Sequence, residues 1–276
     1  KIDLEKDEFL DGIQVDNYEF NASVTDINGE TQAAKTDVKV ASVSHYIAVS
    51  ELHTDYLSDE PINIKVEVKN YNGQNLTKPY QAKLIKIEEP KRIIRDNFKS
   101  EIQDMPQLSK PEFEQKFPHD YYEKSELGNQ NPKNHTIIFN KTINSEKEKF
   151  SLFGQNRLIE PGSYRLEFFN IEGNDTIKAI HNFQVWDRKK LGENQKPFLE
   201  VVAPKAEIKH GGKAKFYVYS ALPDAVLNIF VQDGKGETKI ETFKMTNGVL
   251  EYEAAVPQDE EIENLNIQFQ IVAFND

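Results

Sequence analysis

Tyr18-Glu-Phe20-Asn-Ala22-Ser-Val24-Thr-Asp26-Ile-Asn28-Gly29, closing in Thr36-Asp-Val38-Lys-Val40, and Pro161-Gly162-Ser-Tyr164 to Phe169, turning near Gly173-Asn174-Asp175 and closing in Phe183-Gln-Val185-Trp186, spell one unit twice. Each is an alternating strand, a turn rich in Gly, Asn and Asp, and a return strand. Tyr18, Phe20, Ala22 and Val24 share one face at period two, and Asn28-Gly29 supplies the positive φ of a tight hairpin turn. A two-stranded hairpin cannot bury its apolar face alone. Its recurrence therefore predicts tandem β domains, each with its own core.

Outward from the first hairpin, strands are expected at Ile47–Val49, Ile62–Val68, Ala82–Ile87, Thr136–Phe139 and Lys149–Phe153, with turns at Tyr56–Pro61 and Asn72-Gly73. After the second hairpin, Asp187–Lys196 reads as a charged linker punctuated by Pro197. A second opening of the same kind follows: Phe198–Val202, a turn at Glu207–Lys213 and a strand at Ala214–Tyr219. Further strands are predicted at Val226–Val231, Lys239–Met245, Val249–Val256 and Leu265–Phe274. The expected domains are 1–42, the closing hairpin of a preceding domain; 43–188, a sandwich with an insertion at 88–134; and 189–276, a further sandwich. Lys1 begins mid-pattern and Asp276 follows directly on a strand-like run, so a piece of a longer protein is expected.

The insertion carries the one helix predicted. Ser109-Lys-Pro111-Glu112 is a capping-box pattern with Pro in the first turn, Phe113 and Phe117 lie at i, i+4, and Pro118 stops the helix. Phe113, Phe117, Tyr121 and Tyr122 admit two readings. They form a partner-contact patch, or they staple the insertion to its own sandwich; the second is preferred, because a long loop must bury something to stay ordered.

Composition narrows the function. The apolar fraction of 38% and charged fraction of 29% suit a globular chain. No run approaches the roughly 20 apolar residues that span a bilayer, and no basic start precedes an apolar stretch. A formal charge of −12, with Lys and Arg interleaved among Asp and Glu, argues against nucleic acid and anionic membrane as partners. The densest basic stretch, Lys91-Arg92-Ile-Ile-Arg95, is flanked by Glu88-Glu89 and Asp96 and reads as a solvated face. The chain has no cysteine, which removes disulfides, thiolate metal sites and cysteine nucleophiles together. Stability must then come from the cores alone. That composition suits a bacterial extracytoplasmic or cytoplasmic protein better than a vertebrate secreted one.

No constellation encodes catalysis. Asp26-Ile-Asn28-Gly29-Glu30 has oxygen ligands at alternate positions like half a calcium loop, but Gln32 to Lys35 supply no closing carboxylate, so the hairpin reading is preferred. Asp233–Glu237 is likewise a turn, since no helix follows to hold a phosphate. The histidines at 45, 53, 119, 135, 181 and 210 are not spaced as metal ligands. The acid pairs Glu88-Glu89 and Glu260-Glu261 are sequence neighbours rather than carboxylates held across a cleft, and no Gly-x-Ser-x-Gly elbow is present. An enzyme is disfavoured; no catalytic residue, metal or cofactor is assigned.

The stretch Leu108-Ser-Lys-Pro-Glu-Phe113-Glu-Gln-Lys-Phe117-Pro118-His119-Asp120-Tyr121 resembles one typical of large bacterial alpha-2-macroglobulin proteins, especially of Bacteroidetes. Ala22–Thr31 is similar to the closing hairpin of the sandwich before it in those proteins, and Pro161-Gly162-Ser-Tyr164 to their recurring Pro-Gly-x-Tyr strand start. The resemblance implies macroglobulin-type (MG) domains and an all-β fold of tandem antiparallel β-sandwich, macroglobulin/Ig-like domains with one short helical insertion. It also implies structural modules of an extracytoplasmic protease-trapping inhibitor, periplasmic or on the cell surface with a membrane-anchored parent. The partners would be proteases, met by the full-length protein, and neighbouring MG domains. In such proteins a cleaved bait segment triggers closure, and in many an internal Cys–Gln thioester traps the protease. With no cysteine this chain cannot hold that thioester. The alternative class is a cell-surface adhesion or glycan-binding array of Ig-like sandwiches.

Asp175-Thr176-Ile177, at an expected exposed turn, resembles the O-glycosylation pattern of Bacteroidetes, with Thr176 the acceptor. Intact protein from its native host is expected to carry a glycan mass that Thr176→Ala removes. An unshifted mass refutes the site.

Overall fold

The computed structural model describes residues 13–50, 52–62, 64–88, 92–93, 107–126, 135–144, 159–193, 195–203, 207–222, 224–232, 237–258 and 264–273. Strands β1 (Val15–Thr25) and β2 (Thr31–Ala41) pair antiparallel, with Tyr18 opposite Val38 and Phe20 opposite Thr36. Their turn is built by Asp26, whose Oδ1 accepts the N–H groups of Asn28 and Glu30 at 2.9 Å each, while Gly29 takes φ +86°. The carboxylate that a calcium loop needs is thus committed to the turn. These two strands form a sheet of their own. Asn72 grips its base from the neighbouring turn: its Oδ1 accepts the Lys39 N–H at 2.9 Å and its Nδ2 donates to the Lys39 carbonyl at 3.0 Å.

The next strands are β3 (Tyr46–Ser50), β4 (Asp55–Leu57), β5 (Lys65–Lys69), β6 (Pro79–Ile87), β7 (His135–Asn144), β8 (Gly162–Glu172) and β9 (Asp175–Trp186). They make a five-stranded sheet in the order β4-β9-β8-β6-β7 and a two-stranded β3-β5 sheet that shares its core. Ala82, Leu84, Leu166 and Phe168 are fully buried there, with Ile47 and Val68 from the smaller sheet. Each Leu or Phe so buried contributes about 1.5–3 kcal/mol. The ring of Phe183 stacks on Tyr164 at 5.5 Å and meets Tyr56 edge-on at 5.4 Å.

Two expectations change here. Tyr56 and Leu57 do not open a turn; they form β4, which pairs parallel to β9, with Tyr56 opposite Val185. The apolar pair is better buried against Phe183 and Trp186 than exposed, so the turn begins at Ser58, whose N–H reaches the Trp186 carbonyl at 2.8 Å. β5 starts at Lys65 rather than Ile62, although Ile64 is still buried. The strand expected at 149–153 lies outside the described residues.

The last unit comprises β10 (Glu200–Val202), β11 (Lys213–Tyr219), β12 (Val226–Gln232), β13 (Thr238–Lys244), β14 (Val249–Ala255) and β15 (Asn266–Val272). Two three-stranded antiparallel sheets, β10-β11-β14 and β13-β12-β15, enclose Val218, Leu227, Ile229, Tyr252 and Ala254. β10 meets β11 here as β3 meets β5 in the first sandwich, so the repeated opening is a repeated pairing. The fold is an all-β assembly of antiparallel sandwiches with one α-helix among the described residues, α1 (Lys110–Lys116), and a 3-10 turn at Lys124–Glu126.

Insertion 88–134 leaves after β6 and returns at β7, and these strands are antiparallel neighbours. It hangs from a hairpin connection, and the sheet closes beneath it. α1 starts as its sequence requires: the Glu112 carboxylate accepts the Ser109 N–H at 3.0 Å and the Ser109 hydroxyl at 2.6 Å.

Candidate functional site

The segment expected as a polar, charged linker is tied into the joint between the two sandwiches. β9 ends in Trp186, which turns away from the first core together with Leu57. β11 carries Val218 inward and Tyr217 and Tyr219 on its opposite face, because side chains alternate along a strand. Leu57, Trp186, Val202, Tyr217 and Tyr219 are all buried in one small apolar cluster between the sandwiches, with Leu191 and Val249 at its rim. Trp186 stacks on Tyr219 with ring centres 4.5 Å apart and planes 23° from parallel. Such a pair contributes about 0.5–1.5 kcal/mol beyond the area it buries. The indole N–H donates to Asp55 Oδ1 at 2.8 Å, which fixes the ring against β4.

Arg188 spans the joint. Its Nε donates to Asp59 at 2.7 Å, one terminal nitrogen donates to Glu60 at 2.6 Å and the other to the Tyr217 hydroxyl, and the guanidinium lies 5.0 Å from the Tyr217 ring centre. Burial works against its charge, but the bonds to Asp59 and Tyr217 outweigh it and push its pKa up. Half-exposed ion pairs add little energy. What Arg188 contributes is orientation, since its planar fork must match partners on both sandwiches. Asp187 bends the chain by accepting the Lys189 and Lys190 N–H groups at 2.8 and 3.2 Å. Gln195 is buried, bonded to the Val185 carbonyl at 3.1 Å and to the Gly192 N–H at 3.2 Å.

The insertion makes a second bridge. The His119 ring meets Phe198 edge-on at 5.8 Å and its Nδ1 donates to the Ile93 carbonyl at 2.9 Å, while Ile93 packs on the core of the second sandwich. Phe113 lies 5.1 Å from Phe117 and 5.4 Å from Tyr122, and the Tyr122 hydroxyl donates to the Leu108 carbonyl at 3.2 Å. Arg92 and Lys110 converge on Glu126 at 3.1 and 2.9 Å, which knits the insertion to itself. Phe113, Phe117 and Tyr122 pair with one another, and His119 gives the insertion a contact on the next sandwich. Phe198, opening that sandwich, offers the apolar ring. Phe117 stays 44% exposed, whereas Phe113, Tyr121 and Tyr122 are half-buried. Thr176 is the second residue of β9, exposed and just past the turn rather than in it, with Ile177 beside it buried.

Chemistry is sparse elsewhere. Among the described residues no three His, Asp or Glu side chains are grouped to hold a metal ion. An open cleft of about 440 Å³ is lined in part by Asp55, Glu88 and Glu200, but Asp55 is bonded to Trp186 and to the Thr54 hydroxyl. His181 stacks on Phe183 and bonds the His53 carbonyl at 2.8 Å. His45, 1% exposed, lies between β2 and β3 with Nδ1 3.0 Å from the Ser44 hydroxyl and 3.2 Å from Glu172. Glu172 also accepts the Ser44 N–H and hydroxyl, at 3.0 and 2.9 Å, which together latch the tip of β8–β9 to the segment leading out of the first hairpin.

Sequence reasoning missed Arg188, Gln195, Tyr217 and Tyr219. The signal was the run Phe216-Tyr-Val218-Tyr219, where alternation fails because both strand faces are buried.

No family model matches the chain, and no curated protein matches it. Solved structures give distant likenesses. The native conformation of Escherichia coli alpha-2-macroglobulin is 11% identical over 93% of this chain and 15% of that one, with a TM-score of 0.29. The same protein activated by porcine elastase is 8% identical over 89% of this chain and 23% of that one, with a TM-score of 0.30. A tetra-tandem repeat in the extending region of a large adhesion protein is 11% identical over 93% of this chain and 55% of that one, with a TM-score of 0.24. At such scores the likenesses carry no functional inference.

Two outcomes are expected. Trp186→Ala should cost about 3–5 kcal/mol at the joint, split thermal unfolding into two transitions and broaden the distance distribution between dyes on the two sandwiches. A single transition with an unchanged distribution would refute a rigid joint. Burial, and then Lys78, hold the His45 pKa below its ordinary value, against the pull of Glu172. The folded chain therefore releases this proton where the unfolded chain still holds it. Its contribution is complete above the ordinary histidine value of about 6.5 and is lost as pH falls through and below it. Urea unfolding from pH 7.5 to 5 should show declining stability, flattened in His45→Gln; an equal slope in the variant would assign the effect elsewhere.

Proposed function

We propose that this chain is a structural, non-catalytic part of a bacterial alpha-2-macroglobulin-like protein, a run of MG-type sandwiches within an extracytoplasmic protease-trapping inhibitor. The Trp186–Tyr219–Arg188 joint carries the mechanical half of this reading, because two sandwiches locked at a fixed angle suit a wall rather than a hinge. The family half rests on the Leu108–Tyr121 segment, which forms the capped helix and paired rings on the bridge between sandwiches. In this reading proteases are met by the full-length protein, and neighbouring MG domains are the chain's direct partners. Phe113, Phe117, Tyr121 and Tyr122 are a secondary contact site, for which Phe117 offers an open ring. No helix among the described residues is long and apolar enough to cross a membrane; the reading takes the parent to be membrane-anchored.

A glycan-binding array needs exposed aromatic platforms. Among the described residues the large exposed apolar side chains are Ile and Val except for Phe20 and Phe117. The scaffold reading is therefore preferred.

The full-length parent, mixed with an endopeptidase, is expected to suppress cleavage of a large protein substrate while leaving a small chromogenic peptide cleavable. Equal cleavage of the large substrate with and without it would reject the inhibitor.

A further inference from the structure

Two joints connect the units of this chain, and their chemistry is opposite. The later one is closed by the dry stack of Trp186 on Tyr219. The earlier one, between the β1–β2 hairpin and the first sandwich, is polar. Neither β1 nor β2 pairs with a strand of that sandwich. Among the described residues the hairpin is held by Asn72 at Lys39 and by the segment Val43–His45, in which Val43 enters the first core.

Hydrogen bonds in that segment fix the state of His45. The Ser44 hydroxyl donates to Glu172 at 2.9 Å, and the Lys78 ammonium donates to the same hydroxyl oxygen at 2.9 Å. The hydroxyl then has no proton left for the ring, so His45 Nδ1 carries its own and donates to Ser44 Oγ at 3.0 Å. Nε2 is left as the bare nitrogen, buried without a partner on a ring 1% exposed. A proton arriving there makes an imidazolium whose new N–H has nothing to bond, and a buried charge left unsatisfied is costly. The charged groups acting on the ring are Lys78, ahead of β6, which opposes that charge, and Glu172, ending β8, which favours it from 3.2 Å but on the other nitrogen. Tyr71 feels the same carboxylate and stays neutral, burial having raised its pKa. The Ser44 bonds hold the Glu172 carboxyl below its usual range, so the ring is the member of this cluster that titrates between about pH 6.5 and 5.

We propose that this joint is an acid-released latch: in mild acid the His45 ring leaves its buried position, Val43–His45 lifts from the first sandwich and the hairpin swings, while the Trp186–Tyr219 joint keeps its angle. A general loss of stability would loosen both joints together, whereas the latch frees one. This release goes beyond the inhibitor reading and stands without it, since its test involves no protease.

The chain has no cysteine, so introduced pairs take spin labels cleanly. Ile27→Cys at the exposed hairpin tip with Thr142→Cys on β7 reads the first joint by pulsed electron spin resonance, and Thr142→Cys with Ile240→Cys on β13 reads the second. From about pH 7.5 to 5, the released-to-latched ratio in the first pair is expected to rise about tenfold per pH unit below about 6.5, until the latched ring itself protonates, with the second pair constant. His45→Gln should abolish the rise, and Lys78→Met, which removes a charge opposing the imidazolium, should shrink it. A constant first pair, a rise as large in either variant, or broadening of both pairs together overturns the proposal.

Discussion

The contact between Trp186 and Tyr219 decides how the two sandwiches are related. Each ring sits on a strand whose alternate side chains fill a different core, so the stack couples the cores through the strands themselves. A strand buried on one face leaves its other face to solvent; burying both at β9 and β11 makes two strand ends part of a shared joint. Around the stack, Arg188 sets direction and Asp187 and Gln195 shape the intervening chain. Stiffness here follows from a dry aromatic contact rimmed by oriented polar bonds, neither of which suffices alone.

Much of the fold was legible because β-structure writes itself at period two. Both hairpins, the Asn72-Gly73 turn, the capped helix and the repeated opening follow from alternation and turn chemistry, and the structure has them. Legibility failed where burial was two-sided or pairing was distant. Tyr56-Leu57 looked like the start of a turn, since a three-residue strand has no period to read, and its parallel partner lies 129 residues away. Arg188 looked like one charge among many in a polar linker. Its meaning depends on Asp59, Glu60 and Tyr217, which only the fold brings together.

The insertion shows the same limit from another side. Its internal order was readable from Ser109, Glu112, Phe113 and Phe117, all local in sequence. Its seat was not, because nothing near 88–134 points to Phe198. The choice of surface is made by geometry: the segment leaves the end of β6 and meets a half-buried ring opening the next sandwich.

Because that excursion departs and returns on adjacent rungs of one ladder, its length is decoupled from the stability of the sheet below. The β6–β7 pairing already holds the two ends together, so doubling the loop would raise its closure cost by only about 0.6 kcal/mol. The sheet can therefore tolerate wholesale exchange of this segment, so related scaffolds can differ there while keeping the same sheet. The angle between sandwiches would then rest on the Trp186–Tyr219 cluster and the Arg188 bonds.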